Sequence, residues 1–240
     1  MNKRLLSALL VLLFGFATPL ASAQDDDDDF FVFDDEEDDA SVTIADPLEG
    51  FNRAMFAVND KLYRGVVKPI ARGLRIIPEP IRIGADNFFT NLRAPISAVS
   101  ALLQGDVRNA GTEAGRFVLN TTVGVAGFLD PATKVGLIRD EEDLGQTLGK
   151  WGVGPGIYLV LPFVGSTSLR DFPALIATNA WNPVYQNLHD DTIVAINVVD
   201  AENTLSLDKD TYEAFYRDAL DPYVFFRSAW AQNRAGRIER

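Results

Sequence analysis

Residues 144–171, LGQTLGKWGVGPGIYLVLPFVGSTSLRD, carry five glycines between Gly145 and Gly156, one tryptophan, and then the apolar run Ile157-Tyr158-Leu159-Val160-Leu161. Nothing in the stretch is arranged for acid/base or nucleophilic work. Glycine at this density serves a backbone that bends, takes positive φ or packs closely against a neighbour. Nine of the 18 glycines in the chain lie between Gly124 and Gly165. The pattern reads as a shaped scaffold with a movable element, and the run 156–162 is expected to form a strand or an extended hairpin arm.

On either side of this stretch the pattern is helical and punctuated by proline. Asp46-Pro47-Leu48-Glu49 has the form of a helix start, with Asp as N-cap, Pro in the first turn and Glu reaching back as in a capping box. A capping residue followed by Pro recurs at Asp130-Pro131, Asn182-Pro183 and Asp221-Pro222. Pro69, Pro80 and Pro95 divide the intervening pattern. The spacing predicts helices over 47–67, 69–77, 80–93, 95–104, 106–121, 141–150, 167–180, 190–203, 208–219 and 222–235. The fold class expected is mainly α, built from short amphipathic helices with one short extended or hairpin segment.

In the first of these helices Leu48, Phe51, Met55, Val58, Leu62 and Val66 recur at intervals of three or four, so one face is apolar. Eight basic and four acidic residues fall between Glu49 and Arg93. An amphipathic, basic, aromatic-rich set of helices suits a membrane interface, apolar face down and cations at anionic headgroups. It suits equally a helix that turns its apolar face to a protein core. No segment after residue 23 is apolar for the length of a bilayer-crossing helix.

Residues 1–23 read as a secretory signal peptide: Lys3 and Arg4, an apolar run over 5–16, Pro19, and an Ala-Ser-Ala cleavage site. An uncleaved anchor is the alternative, and the short apolar run argues against it. The formal net charge of −12 divides unevenly. The signal contributes +2, residues 25–39 contribute −11 with no base, and residues 40–240 contribute −3. Residues 24–45 are therefore an acidic arm unable to bury enough apolar surface to fold. It serves as a solvated spacer, or as a docking peptide through Phe30-Phe31-Val32-Phe33. The remainder, 46–240, is expected to be one helical domain. There is no cysteine, which excludes thiolate metal sites and a lipid-bearing cysteine at the mature N-terminus and leaves stability to burial.

A catalytic constellation is hard to find. His189 is the only histidine, so histidine-based zinc sites are excluded, and no G-x-S-x-G elbow accompanies it. It reads as a helix-boundary residue. Gly145 to Trp151 is one residue short of a phosphate loop, and Trp151 stands where a magnesium-binding hydroxyl belongs. Glu141, Glu142 and Asp143 are either a catalytic carboxylate cluster or, more simply, acids complementing the first turn of a helix.

Taken in order, 46–57 (DPLEGFNRAMFA), 87–96 (NFFTNLRAPI), 102–107 (LLQGDV), 116–133 (RFVLNTTVGVAGFLDPAT) and 142–172 (EDLGQTLGKWGVGPGIYLVLPFVGSTSLRDF) resemble the MlaA/VacJ family of bacterial outer-membrane proteins that maintain lipid asymmetry. The resemblance continues more loosely through 221–232. It implies a ring-like arrangement of helices at the periplasmic face of the outer membrane, associated with a trimeric porin. An amphipathic channel would remove phospholipid mislocalised to the outer leaflet and pass it to a soluble periplasmic carrier. It implies no enzyme activity, no cofactor, no metal and no nucleic-acid partner. Within that frame Gly152, Gly154 and Gly156 are expected hinge or gate positions, and Phe51, Met55, Phe88 and Phe89 are expected to face membrane or line the channel. The rival readings are a non-conducting porin-associated scaffold and a periplasmic lipid hydrolase.

Overall fold

The computed structural model describes residues 43–186, 188–208 and 210–240. The expected signal peptide and nearly all of the acidic arm lie outside the described residues. The chain folds as α1 (Glu49–Leu62), a π-helical turn (Tyr63–Val67), α2 (Lys68–Leu74), α3 (Glu79–Gln104), α4 (Val107–Thr122), α5 (Pro131–Lys134) and α6 (Leu144–Lys150). The hairpin β1 (Tyr158–Leu161) and β2 (Gly165–Ser168) follows, then α7 (Asp171–Trp181), α8 (Asp190–Leu207), α9 (Thr211–Asp218) and α10 (Pro222–Glu239). The fold is mainly α with one short antiparallel hairpin, as the sequence predicts.

Proline breaks the helices less often than its positions suggest. The helices expected at 80–93 and 95–104 are one 26-residue helix with Pro95 inside it, about 39 Å long at 1.5 Å per residue. A mid-helix proline forfeits a hydrogen bond and costs about 3 kcal/mol. Ala94, Ile96, Ser97, Ala98, Ser100 and Ala101 are all buried around it, and that packing holds the helix together across the defect. At Pro69 the adjustment is local. The turn before it widens so that the Lys68 N–H reaches the Tyr63 carbonyl, five residues back, and the wider turn makes room for the proline ring.

Several expected helix starts are shifted or uncapped. The acids at 141–142 precede α6, and only Asp143 caps it, accepting from Gln146 N at 2.9 Å. Asp46 caps nothing, because α1 starts at Glu49 without a side-chain cap. Its buried carboxylate instead accepts from Asn52 Nδ2 at 2.7 Å, from Arg227 Nη1 at 3.0 Å and from the Tyr223 hydroxyl. Three donors from α1 and α10 hold a carboxylate more strongly than one amide at a frayed helix end. Asn182 likewise opens a turn and donates to Leu92 O at 3.0 Å. The Asp130 and Asp221 caps form as predicted, on Thr133 N and Val224 N. The helix expected from 167 begins at Asp171, because 165–168 is the second arm of the hairpin.

The hairpin is the hub of the core. Its strands pair in register from Tyr158 opposite Ser168 to Leu161 opposite Gly165, and Tyr158 N donates to Ala45 O at 2.8 Å. Tyr158 and Val160 are buried with Ile44, Tyr223 and Ala231, and Met55, Phe56 and Trp230 pack around them. The outer edge of β1 faces α1, which meets it with asparagine. Asn52 donates to Tyr158 O at 3.0 Å and accepts from Val160 N at 2.8 Å. One heptad on, Asn59 donates to Leu161 O at 2.9 Å and accepts from Phe163 N at 3.0 Å. Each carboxamide reproduces the donor–acceptor pair of a neighbouring strand, which closes an edge that would otherwise stay open.

That pairing turns α1 inside out. Its buried residues are Asn52 and Asn59, whereas Leu48, Phe51 and Val58 are more than 40% exposed, as is Val66 in the π-helical turn. Of the apolar face, Met55 reaches the core beside the hairpin, whereas Phe51, Val58 and Val66 do not pack into it. We expect Asn52→Ala to cost about 2–4 kcal/mol in denaturant unfolding in detergent, since it strands a buried N–H and a buried carbonyl. Asn52→Asp should be no better, because it sets a second carboxylate against Asp46. Phe51→Ala, one residue away, should fall within about 0.5 kcal/mol of wild type.

Candidate functional site: a charged cavity ringed by α3, α7, α10 and the hairpin

A cavity of about 240 Å³ opens between α3, the 139–143 segment, the hairpin, α7, α8 and α10. Its lining is mixed. Ile96, Val164, Leu175 and Trp230 supply apolar wall, and Arg93, Arg139, Arg234 and Arg237 bring four guanidinium groups among several carboxylates.

Arg234 anchors one side. It grips Asp143 in a fork of two 2.7 Å bonds and reaches Asp171 from Nη2 at 2.7 Å and Nε at 3.1 Å. A single side chain of α10 thereby ties the cap of α6 to the first turn of α7. Arg170 and Ser168 complete the shell around Asp171. Gly145 makes the approach possible, since a Cβ there would stand 2.3 Å from both Arg234 Nη2 and Asp171 Oδ1. Burial opposes ionisation of both acids, but the Arg234 charge and hydrogen bonds outweigh it and hold both carboxyls below their ordinary range.

On the opposite wall Arg93 pairs with the buried Asp200 of α8 and donates to Thr90 Oγ1 at 3.3 Å. Arg139 donates to the same hydroxyl at 3.1 Å, and Arg237 donates to the Glu141 carbonyl at 2.8 Å. Glu142 accepts from Gln104 Nε2 at 2.7 Å. The acids at 141–143 thus divide their roles: Asp143 caps and pairs, Glu142 is bonded outward, and Glu141 stands among arginines.

The expected hinge glycines lie on the exposed segment 151–156 between α6 and β1, and none of them lines the cavity. Gly152 has φ +85° and ends α6, with its own N–H on Gly149 O and the next on Leu148 O, so a helix terminus requires it. Gly156 has φ +72° and a Cβ there would sit 3.0 Å from Leu169. Gly154 has open space around it. Arg170 pins the segment on either side of Gly154, through Val153 O and Pro155 O, and Trp151 Nε1 binds Leu103 O at 3.0 Å. Of the four expected lining residues, Phe51 projects outward, Met55 packs against the core around the hairpin, and Phe89 is buried edge-on against the half-buried Phe88. His189 is exposed at the start of α8, and among the described residues no group of three or more His, Cys, Asp or Glu could hold a metal.

Sequence reasoning missed Asn52, Asn59 and the four cavity arginines. The asparagines recur one heptad apart on a helix that is otherwise apolar at that period, and Arg234 and Arg237 share a face at i, i+3. Both signals are visible once the partner elements are known. Acidification tests the anchor. Both Asp pKa values are depressed on folding, so their stabilisation is complete above the ordinary carboxylate value of 3.8 and is lost as pH falls below it. We expect Arg234→Met to cost about 3 kcal/mol at neutral pH, by leaving the buried Asp143 without its ion-pair partner and Asp171 with Arg170 alone. The gap to wild type should narrow in melts taken progressively below pH 4.

The whole of this architecture has relatives. The family model described as MlaA lipoprotein matches residues 44–237. The chain is 39% identical over 195 residues to a Shigella flexneri protein and 38% identical over 195 residues to one from Escherichia coli K12. Each match covers 78% of this chain and 76% of the relative, and both relatives are named intermembrane phospholipid transport system lipoprotein MlaA. A solved structure described as the structural basis for maintenance of bacterial outer membrane lipid asymmetry matches with a TM-score of 0.74 at 35% identity, over 81% of this chain and 99% of that one. With the match to the family model covering most of its length and relatives this similar, the chain belongs to the MlaA lipoprotein family.

Proposed function

We propose that the protein sits in the periplasmic leaflet of the outer membrane and carries phospholipid out of the outer leaflet through the central cavity, for delivery to a soluble periplasmic carrier. The observation that carries this reading is inverted polarity. Charge is gathered inside, around the cavity, while large apolar side chains point outward along the segment from α1 to the start of α3: Phe51, Val58, Val66, Ile70, Ile76 and Ile81 are all exposed. A contiguous apolar exterior marks a membrane or partner surface. Among the described residues no helix is long and apolar enough to cross a membrane, so the apolar faces lie along a leaflet, with the basic residues of α1 and α2 toward headgroups.

The elements that surround the cavity support a ring-like arrangement, with apolar and charged wall along one path. A lipid needs both, for its chains and for its headgroup. The names of the related proteins point the same way. A trimeric porin is the partner that the family resemblance suggests for the outward face. Gly154, alone of the three with neither a positive φ nor a neighbour within 4 Å, is the position at which the 151–156 segment flexes between its two Arg170 anchors.

The test is the phospholipid content of the cell-surface leaflet in a strain lacking this gene. Deletion should raise it and the wild-type chain should restore it, while Gly154→Pro should fold and leave it raised. Proline at Gly152 would be uninformative, because φ +85° is closed to it. Surface lipid unchanged by deletion would reject the transport reading; full rescue by Gly154→Pro would reject the hinge alone.

A further inference from the structure

Most acids around the cavity are held by short hydrogen bonds. Arg234 holds Asp143 and Asp171, Arg93 holds Asp200, and Gln104 holds Glu142. Glu141 differs. The cation nearest its carboxylate is Arg139, at 3.9 Å, beyond hydrogen-bond length. Yet Arg93, Arg139 and Arg237 all act on it, and although burial opposes ionisation, their combined charge keeps the carboxyl ionised.

Three guanidinium groups therefore act on one carboxylate that none of them hydrogen-bonds: Arg139 comes to 3.9 Å, Arg237 binds its backbone carbonyl, and all three line the same cavity. Arg93 and Arg139 converge on the single Thr90 hydroxyl, which brings like charges together. Such a cluster persists only where an anion compensates it. Each guanidinium has five N–H donors, and only one or two of each find acceptors: Arg93 Nε is buried with no acceptor, as is Thr178 Oγ1 on the facing wall. Even with Asp200 taking one donor of Arg93, the donors outnumber what Asp200, Glu141 and Thr90 satisfy, and they face a cavity of about 240 Å³, room for about eight waters. A tetrahedral oxyanion with several acceptor oxygens matches that excess, and arginine is suited to phosphate by geometry as well as charge.

We propose that Arg93, Arg139 and Arg237 form the subsite that takes the phosphate of a phospholipid headgroup, and that Glu141 is a resident counter-anion which the phosphate displaces. The proposal rests on the transport reading above and adds the point of headgroup contact. Glu141 also sets the affinity. A site on a conducting path must bind well enough to admit its cargo and weakly enough to release it, and an internal carboxylate that competes for the same donors lowers affinity without removing them.

Removing the competitor and removing the donor should therefore act in opposite directions. The measurement is binding of tail-labelled phosphatidylethanolamine, and of tail-labelled diacylglycerol with the same chains, to the purified full-length protein in detergent. Wild type should prefer the phospholipid by about tenfold, the scale of one charge-assisted hydrogen bond. Arg139→Gln should erase that preference. Glu141→Gln should tighten phospholipid several-fold and leave diacylglycerol unchanged, a gain that a misfolded variant does not produce. Millimolar inorganic phosphate should compete only weakly, because the chains contribute to binding; full displacement by phosphate alone would assign the site to free anions and overturn the headgroup reading. Preference intact in both variants would place the headgroup elsewhere and leave transport standing. Failure of wild type to bind either lipid would remove the transport reading and this proposal with it.

Discussion

The bonds from Asn52 and Asn59 to the edge of β1 are the constraint on which the rest of the arrangement depends. A two-stranded hairpin leaves backbone donors and acceptors along its outer edge, and these must be paired where they are buried. Two carboxamides one heptad apart on α1 pair them. With Asn52 and Asn59 committed inward, Met55 and Phe56 still reach the core beside the hairpin, but Phe51 and Val58 are left outside. The exposed apolar residues of α1 are thus a geometric consequence of how the hairpin is closed.

The interior shows the complementary feature. Charges are concentrated where a soluble protein of this size would place aliphatic side chains. Arg234 joins three elements through Asp143 and Asp171, and Arg93 joins α3 to α8 through Asp200. Buried ion pairs contribute little net stability over well-packed apolar residues. Their use here is positional: they fix helix against helix while leaving a polar space between, which a packed apolar core would fill. Apolar contact is concentrated instead around Tyr158, Val160 and Tyr223, on the hairpin and the helices that flank it.

Much of the local structure was legible. The apolar run at 157–161 became β1, and Asp130 and Asp221 cap the helices that their following prolines begin. Most helices lie where periodicity puts them. The failures share a cause. Pro95 suggests a boundary in the sequence, but burial on both sides outweighs one missing hydrogen bond. Asp46 was read as a cap, but three donors from distant elements claim it. Gly165-Ser-Thr-Ser168 carries no strand alternation and becomes a strand only because β1 lies beside it. In each case a contact remote in sequence overrode a local preference.

The sequence by itself determined the helical class, the place of the hairpin, the amphipathic period of α1 and the family, because these depend on spacing and on residue order along the chain. It did not determine which way α1 faces. An apolar stripe reads the same facing inward and facing outward, and only the position of β1 beside Asn52 and Asn59 decides which residues of α1 turn inward. Nor did it reveal the cavity. Arg93, Arg139, Arg234 and Arg237 come from three separate parts of the chain, and their charges interact only because folding brings α3, the segment before α6, and α10 around one space. Coulomb interactions depend on distance in space, and that distance is set by tertiary structure.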